Sequence, residues 1–247
     1  MTQEELYAIY WKTRSVLAPS LEYAQFFYEE ALFDHVTEDI TWLDLGCGHQ
    51  LLSPWRQSHE DVLVSQCRRV IGLDLCLEAL RTHRSIRQRV VGDVSHLPFN
   101  SQSFDLVTAN MVVEHLSDPV RQFAEIRRVL KPGGRFVFHT PNAFGYFGIA
   151  RRLMHSRRLN NWLVRLLDQR PKEDVFPIQY KANTTARIDK IARRSGFKVQ
   201  RVRMRVSSPV FAIVPPLMVV ELLWLRLLML KPFRRWRTNI IAELRAC

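Results

Sequence analysis

Cysteine is scarce in this chain, and the few cysteines are not paired. The 247 residues contain Cys47, Cys67, Cys76 and Cys247, without the close spacing typical of metal sites or disulfide frameworks. This pattern indicates free thiols in a reducing compartment, and we expect no metal site. The N-terminus, MTQEELYAIYWK, also lacks the apolar stretch of a secretory signal, so we expect a cytoplasmic protein.

Acidic residues are scarce in the last third of the chain. Residues 1–150 hold 14 Lys/Arg and 18 Asp/Glu, a net charge of −4, whereas residues 151–247 hold 22 Lys/Arg and 6 Asp/Glu, a net charge of +16. Such an excess predicts an acidic partner, and nucleic acid, anionic lipid headgroups and an anionic substrate are the candidates. Hydrophobic residues make up 47% of the chain, which provides a sizeable core and excludes wholesale disorder.

A long, clean apolar run is absent even from the most apolar stretch, residues 209–236. A spanning helix needs about 20 clean apolar residues, and this stretch is interrupted by Pro215, Pro216, Glu221 and Arg226. A charge at mid-bilayer costs about 2.5–3.5 kcal/mol. We therefore expect an in-plane or re-entrant helix. Basic and aromatic residues would then lie at the headgroups: Lys231, Arg234, Arg235, Arg237, Trp224 and Trp236. An ordinary hydrophobic cap or a dimer face is the alternative.

From residue 40 onward, short apolar runs alternate with helix-like segments, which is typical of an α/β fold with a parallel sheet. The expected strands are 40–46, 69–75, 88–93, 103–112, 135–141, 197–206 and 237–244. The expected helices are 53–67, 77–86, 118–130 and 184–197, and the run Lys131-Pro132-Gly133-Gly134 predicts a helix stop and a turn. Residues 3–35 predict two helices separated at Pro19. Residues 143–180 predict a helical excursion above the sheet.

Acidic residues follow three successive expected strands. Asp44-Leu45-Gly46-Cys47-Gly48 closes the first strand, and its glycines let a ligand approach the backbone closely. Leu51 stands where a dinucleotide-binding turn needs Gly or Ala, which disfavours nicotinamide or flavin. Asp74 and Asp93 close the next two strands, where carboxylates can accept ribose hydroxyls and an adenine amino group. Because parallel strands end at one edge of a sheet, the sequence predicts a nucleoside site there.

Several motifs, taken in order, resemble the class I S-adenosylmethionine-dependent methyltransferases, and in particular their type 11-like domain. The matching segments are Asp44–Gly48, Gly72–Asp74, Gly92–Val94, Leu97–Phe99, Ser103–Val107 and Glu125–Gly134. The resemblance covers residues 38–142. It implies a Rossmann-like, seven-stranded, mostly parallel sheet with helices on both faces, whose antiparallel last strand lies between the fifth and sixth. Residues 207–236 would then be an apolar, basic helical insertion between the last two strands.

The patterns and the resemblance together predict a division of the chain, and the resemblance implies a set of cofactor contacts. The division is a helical lid at 1–37, a cofactor-binding core at 38–142, substrate-side helices and the sixth strand at 143–206, a membrane-associating insertion at 207–236, and the last strand at 237–247. The cofactor is S-adenosylmethionine. Its expected contacts are Asp44, Gly46, Cys47 and Gly48 near the methionine, Asp74 and Leu75 at the ribose, Asp93 and Val94 at the adenine, and Asn110 beside the methionine end. Gln50 replaces the usual third glycine of the first motif, and the segment from Gly48 to Asp74 is long, so we expect a remodelled turn.

Candidate catalytic residues follow the fourth and fifth strands. A hydroxyl acceptor needs a general base, and histidine, with a reference pKa of about 6.5, suits that role. Glu114 and His115 follow the fourth strand, and His139 ends the fifth; a capping or supporting role for His115 is the alternative. Tyr180 and Asn142 are the candidates for substrate contact, with packing an equal alternative for Tyr180.

Three functions are compatible with these patterns. The first is methyl transfer to a small or lipid-linked acceptor at a membrane surface, such as a hydroxyl of a glycan, glycolipid or quinone. Residues 176–184 resemble a segment of bacterial methyltransferases of cell-surface and lipid-linked pathways, which favours it. The second is methylation of RNA or protein; the interleaving of Arg with Leu, Val and Trp, and the lack of a recognisable RNA-binding module, argue against nucleic acid. The third is a non-catalytic cofactor-binding scaffold.

Overall fold

The computed structural model describes residues 2–146, 148–149 and 177–247. The helical excursion expected at 143–180 therefore lies largely outside the described residues. The chain forms two compact units. We call the first the sheet unit: Phe27–Pro141, Pro171–Arg203 and Ile240–Cys247. We call the second the helical unit: Met1–Phe26, Asn142–Arg170 and Met204–Asn239.

The strands of the described chain form one seven-stranded sheet. They are β1 Thr41–Leu45, β2 Arg69–Asp74, β3 Gln88–Val91, β4 Phe104–Asn110, β5 Leu130–Pro141, β6 Phe197–Arg205 and β7 Asn239–Ala246. Their order is β3-β2-β1-β4-β5-β7-β6, with β1 to β5 parallel and antiparallel strands at the end of the chain. This arrangement confirms the predicted fold, including the last strand between the fifth and sixth.

In the described part of the chain, helices connect the strands, and some of them begin at capping side chains. The helices are α1 Gln3–Leu17, α2 Ala24–Phe33, α3 Gln57–Gln66, α4 Leu77–Arg81, α5 Pro119–Val129, α6 Thr185–Arg194 and α7 Pro215–Met229. The side chain of Asp118 accepts from the Arg121 amide at the start of α5, and Pro119 takes the first helical position. Thr184 caps α6 in the same way by accepting from the Arg187 amide. Such caps bind amide groups that have no partner within the helix.

The structure corrects two expected element boundaries. The predicted helix at 77–86 ends at Arg81, because the His83 ring nitrogen Nδ1 accepts from the amides of Ser85 and Ile86, which removes them from a helical ladder. The predicted stop and turn at 131–134 is instead an irregular part of β5. The pairing shifts there from Phe104↔Leu130 to Leu106↔Arg135, with Gly133 in the left-handed region.

Aromatic side chains fill the core of the sheet unit between β5 and the helices of one face. Phe123 of α5 meets Phe136 of β5 edge-on, with ring centroids 5.2 Å apart, and meets Phe138 at 5.8 Å. Phe197 at the start of β6 joins them, 6.1 Å from Phe136. These buried rings pack α5 and the start of β6 closely against β5, so the loop at the carboxyl end of β5 extends from a well-packed base.

The core of the helical unit lies between α1 and one side of α7. Its buried members are Tyr10, Ala18, Leu21, Val206, Met218, Leu222, Leu225 and Leu228. Glu221, expected to interrupt the apolar stretch, is buried on this same side of α7. Its carboxylate accepts from the Tyr146 hydroxyl at 2.6 Å and from the amides of Val210 and Phe211 at 3.0 and 2.8 Å. Within the described ranges, no helix has the length and apolar character needed to cross a bilayer.

Candidate active site

The loop after β1 contains two glycines in the left-handed region. Gly46 has φ 60° and Gly48 has φ 54°. A Cβ added to Gly46 would lie 2.4 Å from Cγ2 of Val112, whereas a Cβ added to Gly48 would meet no atom within 4 Å. Gly46 is therefore required for close packing against the turn after β4. Gly48 borders open space, where a ligand can approach the backbone.

Asp74, the last residue of β2, lies directly beside this loop. One carboxylate oxygen accepts from the Gly48 amide at 2.8 Å and the other from the Cys76 amide at 2.9 Å. The loops after β1 and β2 are thus tied together by one carboxylate. Cys47 is buried between them, and burial raises the pKa of its thiol, which keeps it neutral. Leu75, the other residue expected at the ribose, is exposed.

Asp44 is buried within β1, on the strand side of the glycine loop. Its carboxyl accepts from the Thr108 hydroxyl, and Thr108 in turn accepts from the Trp42 indole at 2.6 Å. Burial raises the Asp44 pKa to about 8, the Thr108 hydrogen bond opposes the rise, and the negative charges of Glu60 and Asp74 add to it. A cation placed beside Asp44 would favour its ionised form.

Asp93 and Val94 follow β3 rather than ending it, since that strand stops at Val91. The Asp93 carboxylate accepts from the Ser95 amide at 2.7 Å and is exposed. The Val94 side chain is half-buried. Both residues therefore lie at the same edge of the sheet as Asp44 and Asp74, as expected for parallel strands.

Asn110, the last residue of β4, pairs with His139 near the end of β5. The ring nitrogen Nδ1 of His139 lies 2.9 Å from Oδ1 of Asn110. An amide oxygen only accepts, so we assign the proton of His139 to Nδ1. The His139 ring is buried, 5.8 Å from the Tyr28 ring. Beyond Asn110 the chain turns sharply at Met111, which has φ 59°.

Glu114 and His115 lie in the turn that follows. Glu114 is buried and its carboxylate accepts from the Thr140 hydroxyl at 3.0 Å. His115 is half-buried; its Nδ1 lies 3.2 Å from the Pro177 carbonyl, and its Nε2 lies 3.9 Å from Oε1 of Glu114. Since the Pro177 carbonyl can only accept, we assign a proton to Nδ1 of His115.

The segment containing Tyr180 is attached to this turn by its backbone. The amides of Gln179 and Tyr180 donate to the Glu114 carbonyl at 2.7 and 3.1 Å. Tyr180 has φ 50°, a conformation that costs about 1–3 kcal/mol in a residue other than glycine and persists where surrounding contacts impose it. In the helical unit, the side-chain amide of Asn142 donates to the carbonyls of Arg235 and Arg237 at 2.9 and 2.7 Å. The structure thus gives the Asn142 amide a backbone-binding role.

Sequence reasoning missed three buried polar residues that support the named ones. Thr108 orients Asp44, and Thr140 orients Glu114. Asn183 donates to the Thr140 hydroxyl at 2.7 Å and to the Pro141 carbonyl at 2.9 Å. Both threonines are fully buried, on β4 and β5, and a buried hydroxyl needs a hydrogen-bond partner.

The carboxyl edge of the sheet fits a cationic nucleoside. It has open space at Gly48, which a Cβ would fill, and the carboxyl groups of Asp44 and Asp74 are near it. S-adenosylmethionine carries a ribose and two positive groups, a sulfonium and an ammonium, so the residues present are suited to this cofactor.

Comparison with known proteins agrees with this geometry. Residues 43–138 match the protein family described as a methyltransferase domain. A probable S-adenosylmethionine-dependent methyltransferase of Mycolicibacterium smegmatis is 38% identical over 125 residues, which are 48% of this chain and 46% of that protein. A ubiquinone biosynthesis O-methyltransferase of Coxiella burnetii is 30% identical over 107 residues, 40% of this chain and 43% of that protein.

A similar fold occurs in solved structures. The S-adenosylmethionine-dependent methyltransferase of Mesorhizobium loti superposes with a TM-score of 0.56 at 20% identity, over 90% of this chain and 97% of that one. The matches to curated relatives are shorter and span between 30% and 46% of the first two relatives' lengths. Residues 43–138 are therefore similar to a methyltransferase domain, and the fold is one that solved S-adenosylmethionine-dependent methyltransferases share.

Proposed function

We propose that the chain transfers a methyl group from S-adenosylmethionine to a hydroxyl of a small or lipid-linked acceptor at a membrane surface. A glycan, a glycolipid or a quinone would be the acceptor. The observation that carries the proposal is the open space at Gly48, bordered by the Asp74 carboxylate at the carboxyl edge of the sheet. The Coxiella relative, named for ubiquinone biosynthesis, supports a quinone-like acceptor as one member of this class.

Each residue at this edge has a proposed role. The loop Gly46–Gly48 would receive the methionine end of the cofactor, with Asn110 on its flank. Asp74 would accept the ribose hydroxyls, and Asp93 with the Val94 backbone would bind the adenine. When bound, the cofactor supplies a methyl group that is already electrophilic. The protein therefore has to align the acceptor and exclude water.

His115 is the proposed general base for the acceptor hydroxyl. We assign its proton to Nδ1, which faces the Pro177 carbonyl, and propose Nε2 as the nitrogen that takes the proton from the acceptor hydroxyl. The Glu114 carboxylate, 3.9 Å from Nε2, would stabilise the imidazolium that forms. Glu114 itself is buried and bonded to Thr140, so its role is to position and stabilise His115. His139 is the second candidate base, and Tyr180 a candidate acceptor contact.

The outward side of α7 supports membrane attachment. Val220 is 66% exposed, Leu223 48% and Trp224 41%, on the side of the helix opposite the buried Leu222 and Leu225. A helix that is apolar all round is expected either in a core or in lipid. The only carboxylate within residues 204–239, Glu221, is turned into the helical unit, so the exposed side has no negative charge.

Basic residues border this apolar side, and their positive charge favours a negatively charged partner. Arg226, Lys231, Arg234 and Arg235 are exposed, and the Arg235 guanidinium lies over the Trp236 ring at 5.2 Å. Apolar contact together with exposed cations fits an anionic lipid surface. Arg237, expected at the headgroups, differs: it donates to the carbonyls of Leu228, Met204 and Met229 inside the helical unit.

Vesicle sedimentation tests the attachment. Vesicles with anionic lipid should bind the wild type, and Leu223→Glu should weaken binding about tenfold or more, since a buried apolar side chain contributes about 1.5–3 kcal/mol. Val62→Glu, at an exposed apolar position on α3 of the sheet unit, is the control and should bind as the wild type does. Equal binding by Leu223→Glu and the wild type would contradict lipid contact at α7. Equal binding to neutral and anionic vesicles would contradict the electrostatic part.

Methyl transfer is tested with cofactor labelled in the methyl group and a membrane lipid extract, total RNA and total protein as separate acceptors. The proposal predicts label in the lipid extract. Label in RNA or protein would favour the alternative of a macromolecular substrate. Cofactor binding without transfer to any of the three would favour a non-catalytic scaffold.

A further inference from the structure

The loop after the glycine pair, residues 48–53, lacks the third glycine that the first motif usually has, and Gln50 stands there. We infer that the ion pair of buried Glu60 with partly buried Arg84 positions this loop for the methionine end of the cofactor. Side chains from α3 and from the segment after α4 thus fix the loop conformation that a third glycine would otherwise permit. The inference rests on the proposed function only in the identity of the ligand.

Arg84 binds the loop at several points. Its guanidinium donates to the Gln50 side-chain oxygen at 3.2 Å and to the Leu52 carbonyl at 3.0 Å. Its backbone amide donates to the His49 carbonyl at 3.1 Å. His49, Gln50 and Leu52 therefore have the same partner. A planar guanidinium has five N–H donors in a fixed arrangement, so these contacts define one loop conformation.

Glu60 holds Arg84 in place and binds the loop itself. It is fully buried on α3 and accepts from the Arg84 guanidinium through both carboxylate oxygens, with the Nε contact at 3.0 Å. It also accepts from the Leu52 amide at 2.9 Å and from the Ser85 hydroxyl. Burial alone would raise the Glu60 pKa, but the hydrogen bonds from Arg84, Ser85 and Leu52 lower it overall, so Glu60 remains charged.

The other end of the loop is fixed as well. The Gly48 amide donates to Asp74, and the His49 ring nitrogen Nδ1 lies 2.6 Å from the Thr82 hydroxyl. Gly48, which borders the open space, is therefore held between Asp74 on one side and the Glu60–Arg84 pair on the other. Gln50 is then a functional substitution in the motif: its side-chain oxygen uses a donor that a glycine would leave unused.

Calorimetry with two ligands separates positioning from general stability. S-adenosylhomocysteine includes the amino acid end that loop 48–53 would receive, and 5′-methylthioadenosine lacks it. Arg84→Met should reduce the affinity for S-adenosylhomocysteine about tenfold or more. It should reduce the affinity for 5′-methylthioadenosine less than about threefold. Arg84→Lys, which keeps the charge but loses the planar fork, should fall between Arg84→Met and the wild type.

Two further variants control for folding. Removing Arg84 alone leaves a buried carboxylate unpaired, so Glu60→Gln with Arg84→Met is measured alongside it. Arg203→Met removes another partly buried arginine, which donates to Glu30 at 2.8 Å and to Glu243 at 3.2 Å, away from the loop. It should lower thermal stability and leave both affinities within about threefold of the wild type.

The outcomes are distinguishable. The positioning role would be overturned if the folded Arg84 variants lost affinity equally for both ligands. It would also be overturned if they kept wild-type affinity for S-adenosylhomocysteine. Failure of the wild type to bind either ligand would overturn the proposed function instead. Hydrogen exchange then decides the inference without a ligand: Arg84→Met should speed exchange of the loop amides about tenfold while β1 and β2 stay protected. Unchanged loop protection would overturn it.

Discussion

Gly46 and Gly48 share a left-handed backbone conformation but differ in what an added methyl group would meet, so alanine at each position has a different expected effect. A residue other than glycine in this conformation costs about 1–2 kcal/mol. Gly48→Ala has only this cost, because its Cβ would meet no atom within 4 Å. For a chain of this size, the melting temperature should fall by about 2–8 °C.

Gly46→Ala adds a steric overlap. Its Cβ would lie 2.4 Å from Cγ2 of Val112, and overpacking of this kind costs about 1–3 kcal/mol more. The total of about 2–5 kcal/mol corresponds to a fall in melting temperature of about 4–20 °C. Val112→Ala in the same chain removes the overlapping methyl group and should recover part of the loss.

Gly48→Ala should reduce stability little but reduce ligand affinity strongly. If its open space belongs to the cofactor, Gly48→Ala will bind S-adenosylhomocysteine at least about tenfold more weakly while remaining folded. Thermal unfolding and calorimetry measure the two effects separately. Wild-type affinity in Gly48→Ala, or equal stability of the two alanine variants, would refute this account of the loop.

Two other predictions concern Asp44 and His115. Burial raises the Asp44 pKa to about 8, whereas the pKa of an exposed aspartate is about 4. The contribution of Asp44 to the free energy of unfolding is therefore fully present below about pH 4 and is lost as the pH rises through about 8. Asp44→Asn should therefore flatten this part of the pH dependence of unfolding by urea, and an unchanged pH profile would show that Asp44 is ionised in the folded protein. His115→Gln should lower kcat by about 100-fold or more and leave the affinity for S-adenosylhomocysteine unchanged. Unchanged turnover would remove His115 from the role of base.

The sheet, and the grouping of acidic residues at its carboxyl edge, were predictable because several local signals agree there. Apolar runs such as those of β1 and β2 end in Asp44-Leu45-Gly46 and Asp74, and parallel strands necessarily bring those ends to one edge. The order of the motifs then supplied the strand order. The inserted helix between β6 and β7 was also predictable from composition.

Other features depend on contacts that no local pattern records. Glu60 and Arg84 are 24 residues apart, and nothing in either segment indicates that they share a loop as partner. The side of α7 that buries Glu221 is likewise set by tertiary packing, so a charge that interrupts an apolar run was no guide to the exposed surface. The shape of β5 at Gly133 and Gly134 was misread because glycine pairs occur in bulges as well as in turns.

The most direct test of the central claim is calorimetric titration of S-adenosylhomocysteine into the wild type and Asp74→Asn. Asp74 accepts from the amides of Gly48 and Cys76 and is the proposed acceptor for the ribose hydroxyls. The account predicts micromolar binding to the wild type, weakened about tenfold or more, about 1.4 kcal/mol, in Asp74→Asn. No binding to the folded wild type, or equal binding to both proteins, would contradict a cofactor site at the carboxyl edge of the sheet.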